Sequence, residues 1–461
     1  MNLLIEKRKH VRGWLIILFC LLIIYVISLG LWIQLEGEKP NVNIQKLPKS
    51  LGISNNIELS LSDLKTGMRK IRISLSKDGR DITLLEKYFP EGIFGRNTVH
   101  EELLNFKVEP RRLGLTDGKG TLKISAIDLS WRNWGAGNET IIENNILIDT
   151  APLMISILTK AHNLSQGGTG LVIYKLSKEC QNSGIYVGEN FFPAYNGYFD
   201  DKTIFISFFA LSYDIKRDVE IFIKASDLAG NVTKMHIPHH IKYKIFRKEI
   251  INISDSFLAT KALEFNITPP KDSQTSLVDI FLKINRESRK IDSEKILSLG
   301  KKTDKILYWE NSFLRMPNTA PMARFADHRS YKHNNNIIDS QTHLGVDLAS
   351  LMKSRIPAAN KGKVVLVGFM GIYGNTVAID HGFGLFSMYS HLSSFNVKEG
   401  QIVSKGDIVG NTGTTGLAGG DHLHYAMFVY NTFVDPIEWW DLSWIKNNIT
   451  SKIEEVRGIK Q

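Results

Sequence analysis

The segment His343-Leu-Gly-Val-Asp347 is followed about eighty residues later by His422-Leu-His424, and an isolated histidine, His391, lies between them. Two imidazoles and one carboxylate can hold a zinc ion while leaving a coordination position for water, and such open sites hydrolyse bonds. Seven of the 13 histidines fall between residues 328 and 424, where an even distribution would place about 2.7. This clustering is modest, so most of the specificity comes from the spacing.

The spacing places the two motifs where they could share one ion. Residues two apart in a strand project to the same face about 6.6 Å apart, so His422 and His424 can address one point. A straight strand would separate His343 from Asp347 by about 13 Å, whereas each ligand atom lies about 2 Å from the metal. We therefore expect the chain to bend between them, and Gly345 permits that bend.

This order of motifs, with His391 in a Tyr-x-His context and H-x-H after a glycine-rich turn, resembles the lysostaphin-type, LytM-like zinc metalloendopeptidases of peptidoglycan. The resemblance covers roughly residues 325 to 440. It implies one Zn²⁺ per chain, held by His343, Asp347 and His424. It also implies that His422 is the general base on the metal-bound water and that His391 orients or stabilises the developing oxyanion.

The resemblance further implies an antiparallel β metallopeptidase domain, which we predict at residues 313–445, ahead of a charged helical tail at 446–461. Its substrate would be peptidoglycan stem peptides or cross-bridges. Tyr373, Asn375 and Tyr389 are candidate groove or supporting residues. The sequence leaves open which cross-link is cut: D-alanyl-diaminopimelate bonds, glycine bridges or a secreted protein.

Two other functions stay open at this point. Such a domain can serve as a catalytically silent scaffold that activates another cell-wall hydrolase, although the complete ligand set argues against this. Alternatively, the chain is an envelope adhesion or assembly protein whose β-rich part does the binding. His236-Ile-Pro-His239-His240 has no carboxylates nearby, so we interpret it as a solvated strand end rather than a second metal site.

An apolar stretch near the N-terminus predicts a membrane anchor. Residues 14–33 carry no charge and would cross about 30 Å of hydrocarbon as a helix. Four basic residues precede this stretch and two acidic residues follow it: Lys7, Arg8, Lys9, Arg12, Glu36 and Glu38. The positive-inside rule then keeps residues 1–13 in the cytoplasm. We expect a single-pass protein of the bacterial inner membrane with its bulk in the periplasm or cell envelope.

A cleaved signal peptide is the alternative, but its apolar region usually has 7 to 15 residues, which is shorter than this run.

Composition limits the possible partners and the possible disulfides. The net charge of +10 comes without a nucleic-acid-binding motif, so we expect contact with anionic envelope polymers or membrane surfaces and not with nucleic acid. Cys20 and Cys180 are the only cysteines, which excludes a disulfide within the exported part.

Between anchor and site the pattern is mainly β. Ala126-Ile-Asp128 leads to Gly137-Asn138, and about 95 residues later Ala225-Ser-Asp227 leads to Gly230-Asn231. Each reads as a strand, an Asp-anchored turn and a return strand. We predict two immunoglobulin-like β-sandwiches, at 40–148 and 149–245, which act as spacers and could bind envelope or division partners. Two tryptophans in the first turn, Trp131 and Trp134, could form a binding platform or simply pack over the loop.

Residues 246–312 change character. Ser254–Phe265, Ser276–Asn285 and Asp292–Leu299 have helical spacing, and Pro269-Pro270 separates the first two. We predict a short helical connector that could fold over the substrate groove and hold the enzyme inactive. Deleting residues 246–310 would then raise activity.

Overall fold

We describe the chain from a computed structural model over residues 2–92, 98–265 and 276–458, without the side chains of residues 2–12 and Leu297. It divides into two compact units, Met1–Leu153 with Ser226–Val232, and Met154–Ala225 with Thr233–Gln461. Strands make up 44% of the structure and helices 20%, which confirms the prediction of a mainly β chain with one apolar N-terminal helix.

That helix, α1, spans Asn2–Gln34. Its segment Gly13–Gln34 is long and apolar enough to cross a membrane, and its large apolar side chains are exposed throughout, as expected of residues that face lipid. Length and composition alone are compatible with either an anchor or a signal sequence.

The first unit continues as a β-sandwich. Its strands and short helical turns are β1 Asn41–Lys46, β2 Ser50–Leu51, β3 Asn55–Ser62, β4 Met68–Lys77, β5 Arg80–Tyr88, β6 Glu101–Val108, a 3₁₀ turn Pro110–Leu113, β7 Gly118–Asp128, α2 Arg132–Gly135 and β8 Glu139–Ile148. They form two sheets, ordered β1-β3-β6 and β2-β8-β7-β4-β5. Alternate residues of both sheets, such as Leu59 and Ile124, are fully buried in one shared core.

The repeated Asp…Gly-Asn pattern has the same hydrogen bonds in both copies. Asp128 accepts the backbone N–H of Asn138 at Oδ1 (2.7 Å) and its side-chain amide at Oδ2 (2.8 Å). Asp227 accepts the corresponding groups of Asn231 at 2.9 Å each. The predicted turn is therefore confirmed, because the aspartate replaces the backbone partners that a tight turn leaves unpaired.

The second unit begins with more β structure: β9 Ile155–Ile157, β10 Asn163–Ser165, β11 Thr169–Leu176, β12 Cys180–Val187, β13 Asn190–Pro193, β14 Tyr195–Asn196, β15 Ile204–Ala210, β16 Ile221–Asp227, β17 Val232–His236 and β18 His240–Lys242. Most lie in two four-stranded sheets, β14-β15-β11-β9 and β13-β12-β16-β17. The division into units crosses β16 and β17, since residues 226–232 belong to the first unit.

The rest of the second unit carries the metal-ligand motifs. Its elements are β19 Lys248–Asn252, α3 Asp255–Glu264, α4 Leu277–Lys283, a π-helical turn Ile284–Ser288, α5 Arg289–Gly300, β20 Ala320–Ala323, β21 His328–His333, β22 Asn336–Thr342, β23 Val346–Ala349, β24 Arg355–Pro357, β25 Gly362–Met370, a 3₁₀ turn Gly371–Tyr373, β26 Gly374–Gly382, β27 Leu385–Ser390, β28 Ser394–Phe395, β29 Ile402–Val403, β30 Ile408–Asn411, β31 Leu423–Val429, β32 Thr432–Val434, α6 Pro436–Trp440, α7 Leu442–Ile445, a π-helical turn Lys446–Thr450 and α8 Ser451–Gly458. The Pro269-Pro270 break lies outside the described residues.

One antiparallel sheet organises this region, with strand order β20-β23-β31-β27-β26-β25-β29 and β32 paired to β31. The three helices α3–α5 are not a separate layer. Buried residues of the helices, such as Ile280 and Ile296, share one core with sheet residues such as Met388 and Phe428. In addition, β19 pairs in parallel with β21. The stretch that we predicted as a connector is therefore built into the region that carries the predicted metal-ligand motifs.

Candidate metal centre

Three predicted ligand residues meet at one point. His343 Nε2 lies 3.0 Å from Asp347 Oδ1 and 2.9 Å from His424 Nδ1, and the last two atoms are 2.9 Å apart. Ligand atoms about 2.0–2.2 Å from a tetrahedral zinc ion stand about 3.4 Å from one another, so the observed separations are close to those of a zinc site. All three residues are buried.

Strand register brings them together. Asp347 on β23 is directly opposite His424 on β31, and His424 is opposite Ser390 at the end of β27. His343 precedes β23, and the chain bends at Gly345 as predicted. The glycine has a second role, because a Cβ at this position would lie 2.6 Å from the Cε1 and Nε2 atoms of the His424 ring. Only a residue without a side chain leaves room for that imidazole.

The donor set fits a cation. His343 Nδ1 lies 3.0 Å from the Arg324 carbonyl, to which it donates its proton, so its Nε2 presents a lone pair to the Asp347 carboxylate. The Nε2 atom of His424 is buried without a hydrogen-bond partner among the described residues, which leaves Nδ1 as the atom that faces the other two ligands. A positive ion between these electron-pair donors would stabilise them.

The carboxylate is held in its ionised form. Burial alone would raise the pKa of Asp347, but when the surrounding imidazoles are protonated the charge of His343 and the hydrogen bonds from His343, His422 and His424 hold this pKa well below its usual range. Arg329 Nη2 also donates to Asp347 Oδ2 at 2.8 Å. No sequence pattern indicated Arg329, because its contact depends on where β21 lies in the fold.

The two predicted catalytic histidines flank the ligands. His422 Nε2 is 3.5 Å from Asp347 Oδ1, and the ring centroids of His391 and His422 are 4.9 Å apart. Each ring is fixed through its Nδ1 atom. His391 Nδ1 donates to the Thr415 carbonyl at 2.7 Å, and His422 Nδ1 donates to the Gly420 carbonyl at 2.8 Å. In both residues Nε2 is therefore the atom available for proton transfer.

The site lies in a cavity of about 650 Å³ that all five residues line. Part of its wall comes from the helices α3–α5, called the helical segment, which contribute Phe257, Phe281 and Arg289. Sequence patterns predicted these helices and suggested that they could fold over the substrate groove, and in the structure they form part of its wall. The groove is thus shaped jointly by the helical segment and the sheet.

The three candidate supporting residues have different surroundings. Tyr373 lines the cavity, with its ring centroid 5.5 Å from that of His424, and burial raises its pKa to about 12. Asn375 holds the turn after His391, since its side chain donates to the Leu392 carbonyl at 3.1 Å. Tyr389 is buried away from the cavity lining, where its hydroxyl accepts the Ala359 N–H at 2.7 Å.

Comparisons with known proteins agree with this geometry. Residues 341–436 match Peptidase family M23. The DD-carboxypeptidase/endopeptidase Mpg of Neisseria meningitidis is 37% identical over 95 residues, which are 21% of this chain and 22% of that protein. The peptidoglycan DD-endopeptidase ShyA of Vibrio cholerae is 39% identical over 87 residues, covering 19% of this chain and 20% of that protein.

The glycyl-glycine endopeptidase ALE-1 of Staphylococcus capitis is 33% identical over 120 residues, which are 25% of this chain and 33% of that protein. The similarity to these relatives thus spans between a fifth and a third of their length. The chain therefore carries a peptidase domain of family M23, the LytM and lysostaphin type, over residues 341–436.

Proposed function

We propose that this chain is a membrane-anchored, zinc-dependent endopeptidase that hydrolyses peptide cross-links of peptidoglycan. The observation that carries the proposal is the meeting of His343 Nε2, Asp347 Oδ1 and His424 Nδ1 within 3.0 Å of one another in an accessible cavity. A zinc ion bound there would polarise the scissile carbonyl and lower the pKa of a bound water towards 7.

The residues around the ligands would handle protons and charge. His422 is assigned as the general base, which accepts a proton at Nε2 and returns it to the leaving amine. Its distance of 3.5 Å from Asp347 Oδ1 places it beside the ligand set. His391 faces the same space with Nε2, because the Thr415 carbonyl holds its Nδ1, and it would orient or stabilise the groups that react.

Stem-peptide cross-links are the favoured substrate, because two of the three relatives described above are named a DD-carboxypeptidase/endopeptidase and a peptidoglycan DD-endopeptidase. The relative named as a glycyl-glycine endopeptidase keeps glycine bridges as the second candidate. Mass spectrometry of the fragments released from intact sacculi distinguishes the two, since cleavage at each bond leaves different termini.

Replacing each histidine of the H-x-H pair in turn distinguishes the metal ligand from the general base. His424→Ala is expected to lose both bound zinc and hydrolysis. His422→Ala is expected to keep zinc but to lose about 10²- to 10⁴-fold in rate, the usual contribution of a general base. His236→Ala, an exposed histidine on β17, is the matched control and should change neither quantity.

Zinc is measured as metal per purified chain, and hydrolysis as fragments released from sacculi. Hydrolysis that persists in His424→Ala would refute the assignment of the metal site. A wild-type chain that binds zinc but releases no fragments would instead favour the silent-scaffold alternative.

A further inference from the structure

The membrane helix ends directly on a loop of the first unit. This loop, Ser130–Gly137, is named here the tryptophan loop. Trp131 N donates to the Gln34 carbonyl at 2.7 Å, and Arg132 Nε donates to the Leu35 carbonyl at 2.9 Å. The Ser130 hydroxyl bonds the carbonyls of Gln34 and Glu36 at 3.2 and 2.9 Å. The loop therefore caps the carbonyls that the end of a helix leaves unpaired.

These bonds fix the depth of the loop relative to the bilayer that the helix would cross. The segment Gly13–Gln34 has 22 residues, which as a helix extend about 33 Å and so match a hydrocarbon layer of about 30 Å. Gln34 then lies at the boundary between hydrocarbon and headgroups. Groups within 3 Å of its carbonyl lie at headgroup level.

The loop exposes the side chains that this level favours. Trp134 is 106% exposed and Trp131 is 44% exposed, so Trp134 does not pack over the loop. The backbone is held in place around them, since Asn133 Nδ2 donates to the Gly137 carbonyl at 2.9 Å and Arg69 Nη1 to that of Gly135 at 2.6 Å. Tryptophan is enriched at membrane interfaces, and arginine pairs with phosphate.

We propose that the tryptophan loop inserts Trp134 into the headgroup region of the outer leaflet, so that the first sandwich is clamped to the bilayer surface. The partner is the phospholipid surface in which the helix is anchored, with Trp134 among the headgroups and Arg132 beside their phosphates. The inference rests on the proposed membrane anchor. It replaces a freely hinged spacer with one whose orientation the membrane fixes.

Depth-dependent quenching in the full-length chain tests the proposal. Three single-cysteine proteins carry one fluorophore each, in nanodiscs of phosphatidylethanolamine and phosphatidylglycerol that include nitroxide-labelled lipid. The labelled sites are native Cys20 within the helix, Trp134→Cys in the loop and Thr116→Cys as the control, with the remaining native cysteines replaced by serine. Thr116 is exposed and accepts a bond from Lys77 at the opposite end of β4, about 30 Å from the loop.

We expect headgroup nitroxides to reduce emission at position 134 by about two-fold or more and to leave position 116 unchanged. Quenching at position 20 by nitroxides deep in the acyl chains reports the anchor itself. If position 20 is quenched but position 134 is as unquenched as position 116, the loop proposal is overturned and the anchor stands. If position 20 is not quenched, both are overturned.

Native fluorescence gives a second measurement that keeps the tryptophan in place. Brominated lipids should quench a larger part of the emission of the wild-type chain than of Trp134→Ala, because the substitution removes an emitter at the interface. A response of the position 134 label to added glycan strands, without lipid quenching, would overturn the proposal and identify the loop as a contact with the cell wall.

Discussion

At the scale of single residues, Gly345 determines whether the metal ligands can meet. An added methyl group would lie 2.6 Å from two atoms of the His424 ring and 2.8 Å from the Tyr425 carbonyl. We expect Gly345→Ala to displace the imidazole and to weaken zinc binding about 10- to 100-fold, the range found when the support of a ligand is lost. A competition titration against a chelating dye measures this affinity.

Gly419→Ala is the matched control for that substitution. Gly419 lines the cavity, and a Cβ there would meet nothing within 4 Å. Its zinc affinity should equal that of the wild type. Equal affinity in Gly345→Ala would show that the ring of His424 can shift without cost, contrary to the close approach in the structure.

A second residue, Glu438, should make the stability of the second unit depend on pH. Its carboxylate is buried and accepts the Thr169 N–H at 2.8 Å, and burial raises its pKa from 4.5 to about 8. Folding therefore favours the protonated form. The contribution of the protonated carboxyl to the free energy of unfolding is fully present below the pKa of Glu438 in the unfolded chain. It falls by up to about 1.4 kcal/mol per pH unit as pH rises, until pH passes the pKa of Glu438 in the folded chain.

Glu438→Gln should remove this dependence, because the amide keeps the shape and cannot ionise. Burial also raises the pKa values of Asp292 and Asp380, to about 6, so the comparison belongs between about pH 6 and 9. Over that range the unfolding free energy of the wild type should decline relative to Glu438→Gln. The exposed Glu179→Gln is the control, and parallel curves for all three proteins would contradict the assignment.

At the scale of elements, the sequence predicted what depends on local spacing. The two histidine motifs and the Asp…Gly-Asn turns are set by side chains a few residues apart, so their patterns could be read directly. Arg329 reaches Asp347 only because β21 lies beside the site, and Phe281 reaches the cavity only because α4 packs on the sheet. Neither contact has a local signature, since both depend on how distant elements pack.

The end of α3 supports the site through a loop. Glu264 accepts the Gly416 N–H at 2.5 Å, and Lys261 donates to the Thr414 carbonyl at 2.9 Å. Between these two contacts, the Thr415 carbonyl holds His391 Nδ1 at 2.7 Å. The helical segment thus has a supporting role in addition to forming a wall of the groove.

Glu264→Ala should loosen this loop and lower hydrolysis about 10-fold, because small displacements of catalytic groups are costly. Zinc content should stay unchanged, since Glu264 touches no ligand. Glu294→Ala, exposed on α5, is the control. Increased hydrolysis in Glu264→Ala would instead support the hypothesis that this segment restrains the enzyme. Deleting residues 246–310 is a poorer test, because their apolar side chains belong to the core of the sheet.

At the scale of the whole molecule, the strands β9–β18, called the second β region, share an aromatic interior with the peptidase region, residues 313–445. Trp439 is fully buried and packs against Phe208 of β15 and against Trp309, with ring centroids 6.2 and 5.3 Å away. The Tyr430 hydroxyl donates to the Tyr195 hydroxyl oxygen at 2.7 Å. These contacts lie within one compact unit. We therefore expect this β region to stabilise the enzyme as well as to position it.

Two truncated proteins test that expectation. Residues 154–461 should unfold in one cooperative transition and release fragments from sacculi. Residues 313–461 should unfold at a much lower temperature or fail to fold, because they lack the partners of Trp439 and of the sheet core. Each large apolar side chain left uncovered costs about 1.5–3 kcal/mol, against a total stability of about 5–15 kcal/mol. Calorimetry measures the transitions, and residues 313–461 that are as stable and as active as the longer fragment would show that the peptidase region folds without the second β region.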